Sequence, residues 1–193
     1  MRSWHALPER RLEAAGDTSA QFFARNIDDY RAAARFVHQL PYGRNADRAN
    51  FRLVIPELRG TCSTKHALLA ALAIEQRLPV HLTLGIYEMR ESNTPGVNAV
   101  LSRHGLAMVP EAHCYLIYNG TPIDVTRAAV SPTEPIAHFL HEETIAPEQI
   151  GEYKIAMHRA WMRAWVARQM PHRNWEEIWR IREECIAALG ESA

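Results

Sequence analysis

An Asn-Gly dipeptide at positions 119 and 120 constrains the fold of this chain more than any other local feature of the sequence. It separates two runs that are rich in β-forming residues, HCYLIY and TPIDVT. Asn-Gly between such runs favours a two-residue, type I′ hairpin turn. That turn fixes the register of both strands and places His113 and Asp124 on one face as diagonal neighbours, with Cα atoms about 7 to 8 Å apart. An imidazole and a carboxylate can meet across this distance.

A second feature is the cysteine that comes directly before the apolar run of GTCSTKHALLAALA, residues 60–73. Thr61 or Ser63 is placed to cap a helix that is apolar on nearly all sides and is therefore predicted to be buried. A thiol at a helix N-terminus is a candidate nucleophile, because free N–H groups and the helix dipole stabilise the thiolate. The alternative is that Cys62 is only a small buried residue at a helix start.

The order of helix and strand signals along the chain predicts an α+β fold. We expect a single domain over residues 1–193, with a core at about 41–127 and a C-terminal helical extension at about 133–190. The predicted elements are an amphipathic helix over 17–41, an extended segment over 52–58, a strand over 80–89, a long connection over 90–111 without strong periodicity, the hairpin, and helices near 135–141, from about 147, and over 174–190.

Charge and composition exclude several classes of function. Lys and Arg total 22 and Asp and Glu total 22, so the net charge predicts neither a nucleic-acid partner nor an anionic membrane. The first residues lack the apolar stretch of a signal peptide, and no segment approaches the roughly 20 apolar residues of a membrane span. We therefore expect a cytoplasmic protein. The three cysteines, Cys62, Cys114 and Cys185, are too scattered for a disulfide framework and form no CxxC pair, so we expect no cofactor and no structural metal.

His66 is the rival of His113 as a partner of the thiol. It lies four residues after Cys62 and therefore on the same helical face. We favour His113, because His66 has no carboxylate at a predictable distance. A zinc site built from Cys62, His66, His113 and Cys114 has suitable ligand types, but it lacks the paired spacing of structural zinc sites.

Acyl transfer through a cysteine needs two hydrogen-bond donors for the oxyanion. The backbone N–H of Cys62 is one candidate. Candidates for the second are Tyr42, Arg44 and Asn45, in a loop that is also explained as a simple turn. Arg59 could bind a substrate carboxylate, or it could form an exposed salt bridge.

At these residues the sequence resembles the transglutaminase-like branch of the papain-like cysteine protease superfamily. The segment from Gly60 to the predicted strand is similar to that family's nucleophile helix and first core strand, and HCYLIYNGTPIDVT is similar to its His strand, turn and Asp strand. The resemblance covers residues 59–127, roughly a third of the chain. It implies a nucleophile helix packed on a small antiparallel sheet, with Cys62 as nucleophile, His113 as base and Asp124 as the residue that orients the base.

This resemblance departs from the family at two neighbours of the site. Ser63 and Cys114 stand where the family usually has aromatic residues after its cysteine and histidine. Outside the core, the LPYGRN and WEEIWRIREECI segments are similar to those of a small transglutaminase-like family. The residues that carry the resemblance therefore supply the reaction class but no substrate.

The predicted function is that of a cysteine-dependent hydrolase or acyltransferase acting on an amide or peptide bond through a thioester intermediate. The substrate would be a peptide or an amide-bearing small molecule. An arylamine acetyltransferase has a similar Cys-His-Asp layout and the same Arg-Gly before its cysteine, but this chain is short for that family. The alternative of another class is a non-catalytic binding module that retains the fold. Its protein partner would contact the helices bearing Trp161, Trp165, Trp175 and Trp179, whose spacing is also typical of core packing.

Overall fold

The computed structural model of the protein describes residues 1–128, 136 and 138–191. Within them, helices pack against one antiparallel sheet with the strand order β3-β2-β1-β4, which confirms the α+β prediction. The strands are β1 Val80–Met89, β2 Val109–Tyr118, β3 Thr121–Ile123 and β4 His141–Thr144. The α-helices are α1 Asp17–Phe23, α2 Tyr30–Gln39, α3 Val54–Glu57, α4 Cys62–Glu75, α5 Asn98–Arg103, α6 Glu152–Gln169 and α7 Trp175–Glu191, and short 3-10 helices cover Trp4–Ala6, Phe51–Leu53 and Pro147–Ile150.

Helix α4 is the centre of the larger hydrophobic core. Its leucines Leu68, Leu69 and Leu72 are fully buried, between the sheet on one side and helices α1 and α2 on the other. Burial of each such side chain stabilises the fold by about 1.5 to 3 kcal/mol. The helix begins where Thr61 N–H donates to Thr64 Oγ1 at 3.0 Å, as expected for a capped N-terminus. The predicted buried helix after Thr61 is thus confirmed.

The predicted hairpin is also confirmed, with Tyr118 paired to Thr121 across the turn. Asn119 and Gly120 both have positive φ values, 48° and 70°, as a type I′ turn requires. Strand β3 is shorter than predicted and ends at Ile123. It ends there because the carboxylate of Asp124 accepts the backbone N–H of Thr126 at 2.8 Å, and this turn takes the chain away from β2.

Two predictions for the N-terminal third are wrong. Residues 17–41 form two helices rather than one, because the chain turns at Asn26, where φ is 58°, and a new helix begins after Asp29, whose side chain accepts the N–H of Ala32. Residues 52–58 are largely helical rather than extended. Pro56 lies in the first turn of α3, where its missing N–H has no helical acceptor, so it does not break the helix.

The C-terminal half also differs from the prediction. The long connection contains helix α5, and β2 begins within it. Of the helix predicted near 135–141, residues 135 and 137 lie outside the described residues, while 138–140 are not helical and 141–144 form strand β4. This strand pairs with the free edge of β1, so the C-terminal extension is not purely helical. Helix α7 continues through Gly190, which was predicted to end it. No helix of the described residues is long and apolar enough to cross a membrane.

A second, smaller core joins the C-terminal helices to the far end of the sheet. It contains Met162 and Trp165 of α6 and Ile178 and Ile181 of α7, together with residues of α5, β1 and the start of β2. Three further tryptophans are partly buried against it, so the aromatic spacing noted in the sequence corresponds to core packing: Trp161, Trp175 and Trp179.

Candidate active site

Cys62 is the first residue of α4 and lies where the two cores meet. Its side chain is nearly buried, with 8% exposed. It contributes to the wall of a cavity of about 410 Å³ that is also lined by His113, Asp124 and Tyr87. The thiol is therefore placed at a helix N-terminus and still faces a space large enough for a small-molecule or peptide group.

The structure brings His113 and Asp124 together as the hairpin register predicts. Nε2 of His113 lies 2.9 Å from Oδ2 of Asp124. The other carboxylate oxygen accepts the N–H of Thr126, so the Asp124 side chain is held on both sides. The His113 ring is stacked on Tyr115 and meets Tyr87 edge to face, which further restricts its orientation. Because Nε2 is engaged by the carboxylate, Nδ1 is the ring nitrogen left for Cys62.

Charge interactions lower the pKa of Cys62 and raise that of His113, which favours a thiolate and an imidazolium at these two residues. Burial alone would raise the pKa of Cys62, but the positive charges of Lys154 and His113, with hydrogen bonding from His113, lower it to about 6. Burial alone would lower the pKa of His113, but Asp124 and the Cys62 thiolate raise it to about 10. The charge of His113 likewise holds the pKa of Asp124 well below its usual range, against the effect of burial. An ion pair at neutral pH is the reactive form of a catalytic cysteine.

Both ring nitrogens of His66, the rival base, are hydrogen-bonded to backbone groups. Its Nδ1 lies 2.8 Å from the carbonyl oxygen of Cys62, and its Nε2 accepts the N–H of Val125 at 2.9 Å. Burial lowers its pKa to about 4, so the ring is neutral. These partners assign the proton to Nδ1. His66 therefore ties the first turn of α4 to the segment after Asp124, and it has no nitrogen left to accept a proton from the thiol.

Lys65 supports the same segment, a role that the sequence did not indicate. Its side chain is fully buried, and its ammonium donates to the carbonyl oxygens of Leu40 and Thr126 at 2.6 and 2.8 Å. Burial lowers its pKa to about 8. Lys65 and His66 together fix the two residues that follow Asp124, through the Thr126 carbonyl and the Val125 N–H, and so help to hold the carboxylate against His113.

Lys154 is a site residue that the sequence did not reveal. It projects from α6, is 7% exposed, and donates to Ser63 Oγ at 2.6 Å. The Ser63 hydroxyl in turn lies 3.9 Å from Sγ of Cys62. The charge of this buried ammonium stabilises the thiolate, and it would also stabilise a negative charge on a carbonyl oxygen bound beside it. The lysine lies 91 residues from Ser63 in the chain, and no local pattern indicates the contact.

The four candidates for oxyanion or substrate binding have different positions. Tyr42 lines the walls of both cavities that adjoin Cys62, and Arg44 and Asn45 line the smaller one. The Asn45 side-chain amide has structural hydrogen bonds, because Nδ2 donates to a Glu57 carboxylate oxygen at 2.8 Å and to the Arg59 carbonyl oxygen at 3.1 Å. It therefore has no N–H left for an oxyanion.

The two arginines among these candidates have different surroundings. Arg44 forms an ion pair with Glu183 at 2.5 Å. Arg59 is exposed, and within the described residues it has no ion-pair partner, so the salt bridge considered for it is absent there. Arg44 shares the wall of the smaller cavity with Tyr42 and Cys62, whereas Arg59 lines neither cavity.

No metal site appears at these residues. Among the residues that the structure describes, no group of three or more His, Cys, Asp or Glu side chains is placed to hold a metal ion. The zinc alternative also requires His66, both of whose ring nitrogens are already hydrogen-bonded.

The chain was compared with protein-family models, with curated proteins and with solved structures, and none of them matches it. The transglutaminase-like resemblance thus stays a prediction that depends on the residues of the core.

Proposed function

We propose that this protein is a cysteine-dependent acyl-transfer enzyme, a hydrolase or acyltransferase that cleaves an amide or peptide bond through a thioester, with a papain/transglutaminase-like core. The observation that supports it best is the 2.9 Å contact between His113 and Asp124 beside a thiol at a helix N-terminus. The shifts in pKa of Cys62 and His113, which favour a thiolate and an imidazolium, support the same proposal.

In the first half-reaction, the Cys62 thiolate attacks the carbonyl carbon of the substrate and a C–S bond forms. The carbonyl electrons move to oxygen, where the N–H groups at the start of α4 and the Lys154 ammonium stabilise the negative charge. As the intermediate collapses, the C–N bond breaks and His113 donates its proton to the leaving amine. A thioester on Cys62 and a neutral imidazole result.

In the second half-reaction, water or an acceptor amine attacks the thioester while His113 removes its proton. The C–S bond then breaks, and the thiolate and imidazolium are restored. Asp124 keeps its charge throughout, because its role is to orient His113 and to stabilise the imidazolium. The cavity beside His113 would hold the peptide or amide-bearing small molecule.

Alkylation by iodoacetamide, measured for each cysteine by mass spectrometry between pH 5 and pH 10, tests the activated thiol. We expect Cys62 to reach half of its maximal rate near pH 6. At pH 7 it should react about tenfold faster or more than an ordinary thiol with a pKa of about 8.5, which is only a few per cent ionised. Cys114 and Cys185 are internal controls, because burial raises both of their pKa values to about 11. In a His113→Ala variant, the midpoint for Cys62 should rise.

A chromogenic p-nitrophenyl ester then distinguishes an enzyme from a binding module. The enzyme should release p-nitrophenolate and carry the acyl group on Cys62, seen as an added mass that is absent from a Cys62→Ser variant. If Cys62 reacts no faster than Cys185 and no acyl-enzyme forms, the proposal is wrong, and the binding-module alternative takes its place.

A further inference from the structure

A second cavity, of about 140 Å³, shares Cys62 with the His113 cavity and is lined in part by residues of α6 and α7. We call it the basic cavity. Five cationic side chains line it against two carboxylates, although the chain as a whole has no net charge. Such an excess of one charge at a reactive thiol raises the question of which anion it accommodates.

The two carboxylates of the basic cavity are already neutralised. Glu111 accepts two hydrogen bonds from the Arg182 guanidinium, one of them at 2.6 Å. Glu183 accepts from Arg182 at 2.6 Å and from Arg44 at 2.5 Å, and Arg48 lies 3.8 Å away. These carboxylates are therefore engaged by the arginines that surround them.

The cations that remain are Lys154 and Arg159, neither of which has an ion pair with a carboxylate among the described residues. Lys154 is buried at the base of the cavity, and within the described part of the chain its ammonium has one hydrogen bond, to Ser63 Oγ. Arg159 is exposed at the rim, with its guanidinium 5.1 Å from the centre of the Trp179 ring. One cation at the base and one at the rim define a path for an anion that leads to the thiol.

Burying an ammonium without a counter-ion is costly, so Lys154 needs a negative partner. In the resting protein the Cys62 thiolate supplies such a charge, and the Glu111 carboxylate, already paired with Arg182, is a second one nearby. Once the sulfur is acylated it is neutral, and Lys154 loses the only one of these two charges that is not paired with an arginine. An anion carried by the substrate would replace the lost charge when it is needed.

We propose that the basic cavity binds a carboxylate of the acyl substrate, so that this enzyme prefers amides or esters whose acyl group carries a carboxylate a few bonds from the reacting carbonyl. The short reach follows from the geometry, because only the Ser63 hydroxyl separates the Lys154 ammonium from Sγ. The inference rests on the proposed function and specifies its substrate class.

Iodoacetate and iodoacetamide test this without knowledge of the natural substrate. Both are attacked by the Cys62 thiolate with loss of iodide, and they differ in carrying a carboxylate or a neutral amide. The measured quantity is the ratio of the two rate constants at pH 7, divided by the same ratio for N-acetylcysteine. We expect this normalised ratio to be about tenfold above 1 at low salt and to fall as salt is added.

Variants at the two cations of the basic cavity test whether this cavity causes the raised ratio. Arg159→Gln and Lys154→Met should each bring it down severalfold towards 1. A change in the pKa of Cys62 affects both reagents equally and cancels in the ratio. Arg163→Gln is the matched control, because Arg163 lies one turn further along α6 with its guanidinium 4.6 Å from the centre of the Trp175 ring and does not line the cavity. It should leave the ratio unchanged.

The outcomes separate this inference from the proposed function. A fast Cys62 with a normalised ratio near 1, or a raised ratio that Arg159→Gln leaves unaltered, overturns carboxylate binding and leaves the acyl-transfer proposal in place. A Cys62 that reacts slowly with both reagents overturns the proposed function and this inference with it. Because Arg159 is exposed, its variant is expected to fold even if the buried Lys154→Met variant does not.

Discussion

The two sides of Cys62 are built in different ways. On the strand side, His113 and Asp124 lie 11 residues apart and meet through one hairpin register. On the helix side, Lys154 reaches Ser63 across 91 residues of sequence, and Arg182 reaches Glu111 across 71. The pairing of His113 with Asp124 is thus specified locally, whereas the charges of Lys154 and Arg182 near the thiol depend on how α6 and α7 dock against the sheet.

This comparison changes the role of the C-terminal helices, which the sequence suggests are an attachment to a separate core. They contribute Lys154, the positive charge that most strongly lowers the pKa of Cys62. They also carry two of the four arginines of the basic cavity, Arg159 and Arg182, and about half of the smaller hydrophobic core. The site is therefore shared between a hairpin and a helical pair, and variants on each side should have distinguishable effects.

The largest effect on stability is expected on the helix side, at the ion pair between Arg182 and Glu111, whose side chains are only 11% and 6% exposed. Arg182→Met leaves a buried carboxylate without its partner and should lower the free energy of unfolding by about 3 to 5 kcal/mol. The double variant Glu111→Leu with Arg182→Met removes both charges and should recover most of that loss. Urea unfolding measures both.

A surface pair at the N-terminal end of the same helix is the control for this prediction. Arg173, just before α7, and Glu177, in its first turn, have an N–O distance of 2.9 Å, and both side chains are about one-third exposed. Arg173→Gln should change stability by no more than about 0.5 kcal/mol. If the single Arg182 variant and the double variant lose equal stability, burial of an unpaired charge is not the cause, and packing of α7 would account for the loss.

On the strand side, Asp124→Asn removes the charge that does most to raise the pKa of His113. A raised folded pKa means that His113 contributes stability fully below its unfolded value of about 6.5 and loses that contribution as the pH rises through about 10. In the variant the pKa of His113 should fall by about 1 to 3 units, so this contribution should be lost at a lower pH.

NMR titration of the histidine rings checks this prediction. In the parent protein, the Cys62 thiolate and the His113 imidazolium coexist between about pH 6 and about pH 10. In the variant, the upper limit of this pH range should fall. His66 is the control within the same molecule, since its lowered pKa keeps it neutral above pH 6 with or without the Asp124 charge. An unshifted His113 would mean that the carboxylate does not govern the ring.

The same contrast explains what the sequence could predict. The hairpin, its register and the buried helix after Cys62 follow from residues close together in the chain, and all three are observed. Residues 52–58 were assigned to the wrong structure because Pro56 is equally compatible with a broken strand and with the first turn of a helix. Strand β4 has the sequence HEET, which lacks β-branched alternation, and it forms because β1 offers a free edge.

Within the site, proximity in the sequence again decides what could be found. The candidates Cys62, His113 and Asp124 were predicted from a helix start and a hairpin turn. The sequence left both His113 and His66 as candidate partners of the thiol. In the fold, the Val125 N–H donates to Nε2 of His66, so this nitrogen is not free to accept a proton from the thiol. Lys154 could not be found, because a single lysine on an amphipathic helix is indistinguishable from a solvent-exposed one until the helix docks.

The smallest effects are expected for glycine-to-alanine substitutions, one in the hairpin at Gly120 and one on α7 at Gly190. At Gly120, in the hairpin turn, φ is 70°, and an added Cβ would meet no atom within 4 Å, so alanine there suffers only the cost of a left-handed backbone, about 1 kcal/mol. At Gly190, near the end of α7, an added Cβ also meets nothing within 4 Å. Alanine there should be neutral or stabilise the helix by up to about 0.5 to 1 kcal/mol. The urea midpoint of Gly120→Ala should therefore fall, while that of Gly190→Ala should rise or stay unchanged. If both variants behave alike, the turn does not hold its left-handed conformation in solution, and the register that aligns His113 with Asp124 loses its local cause.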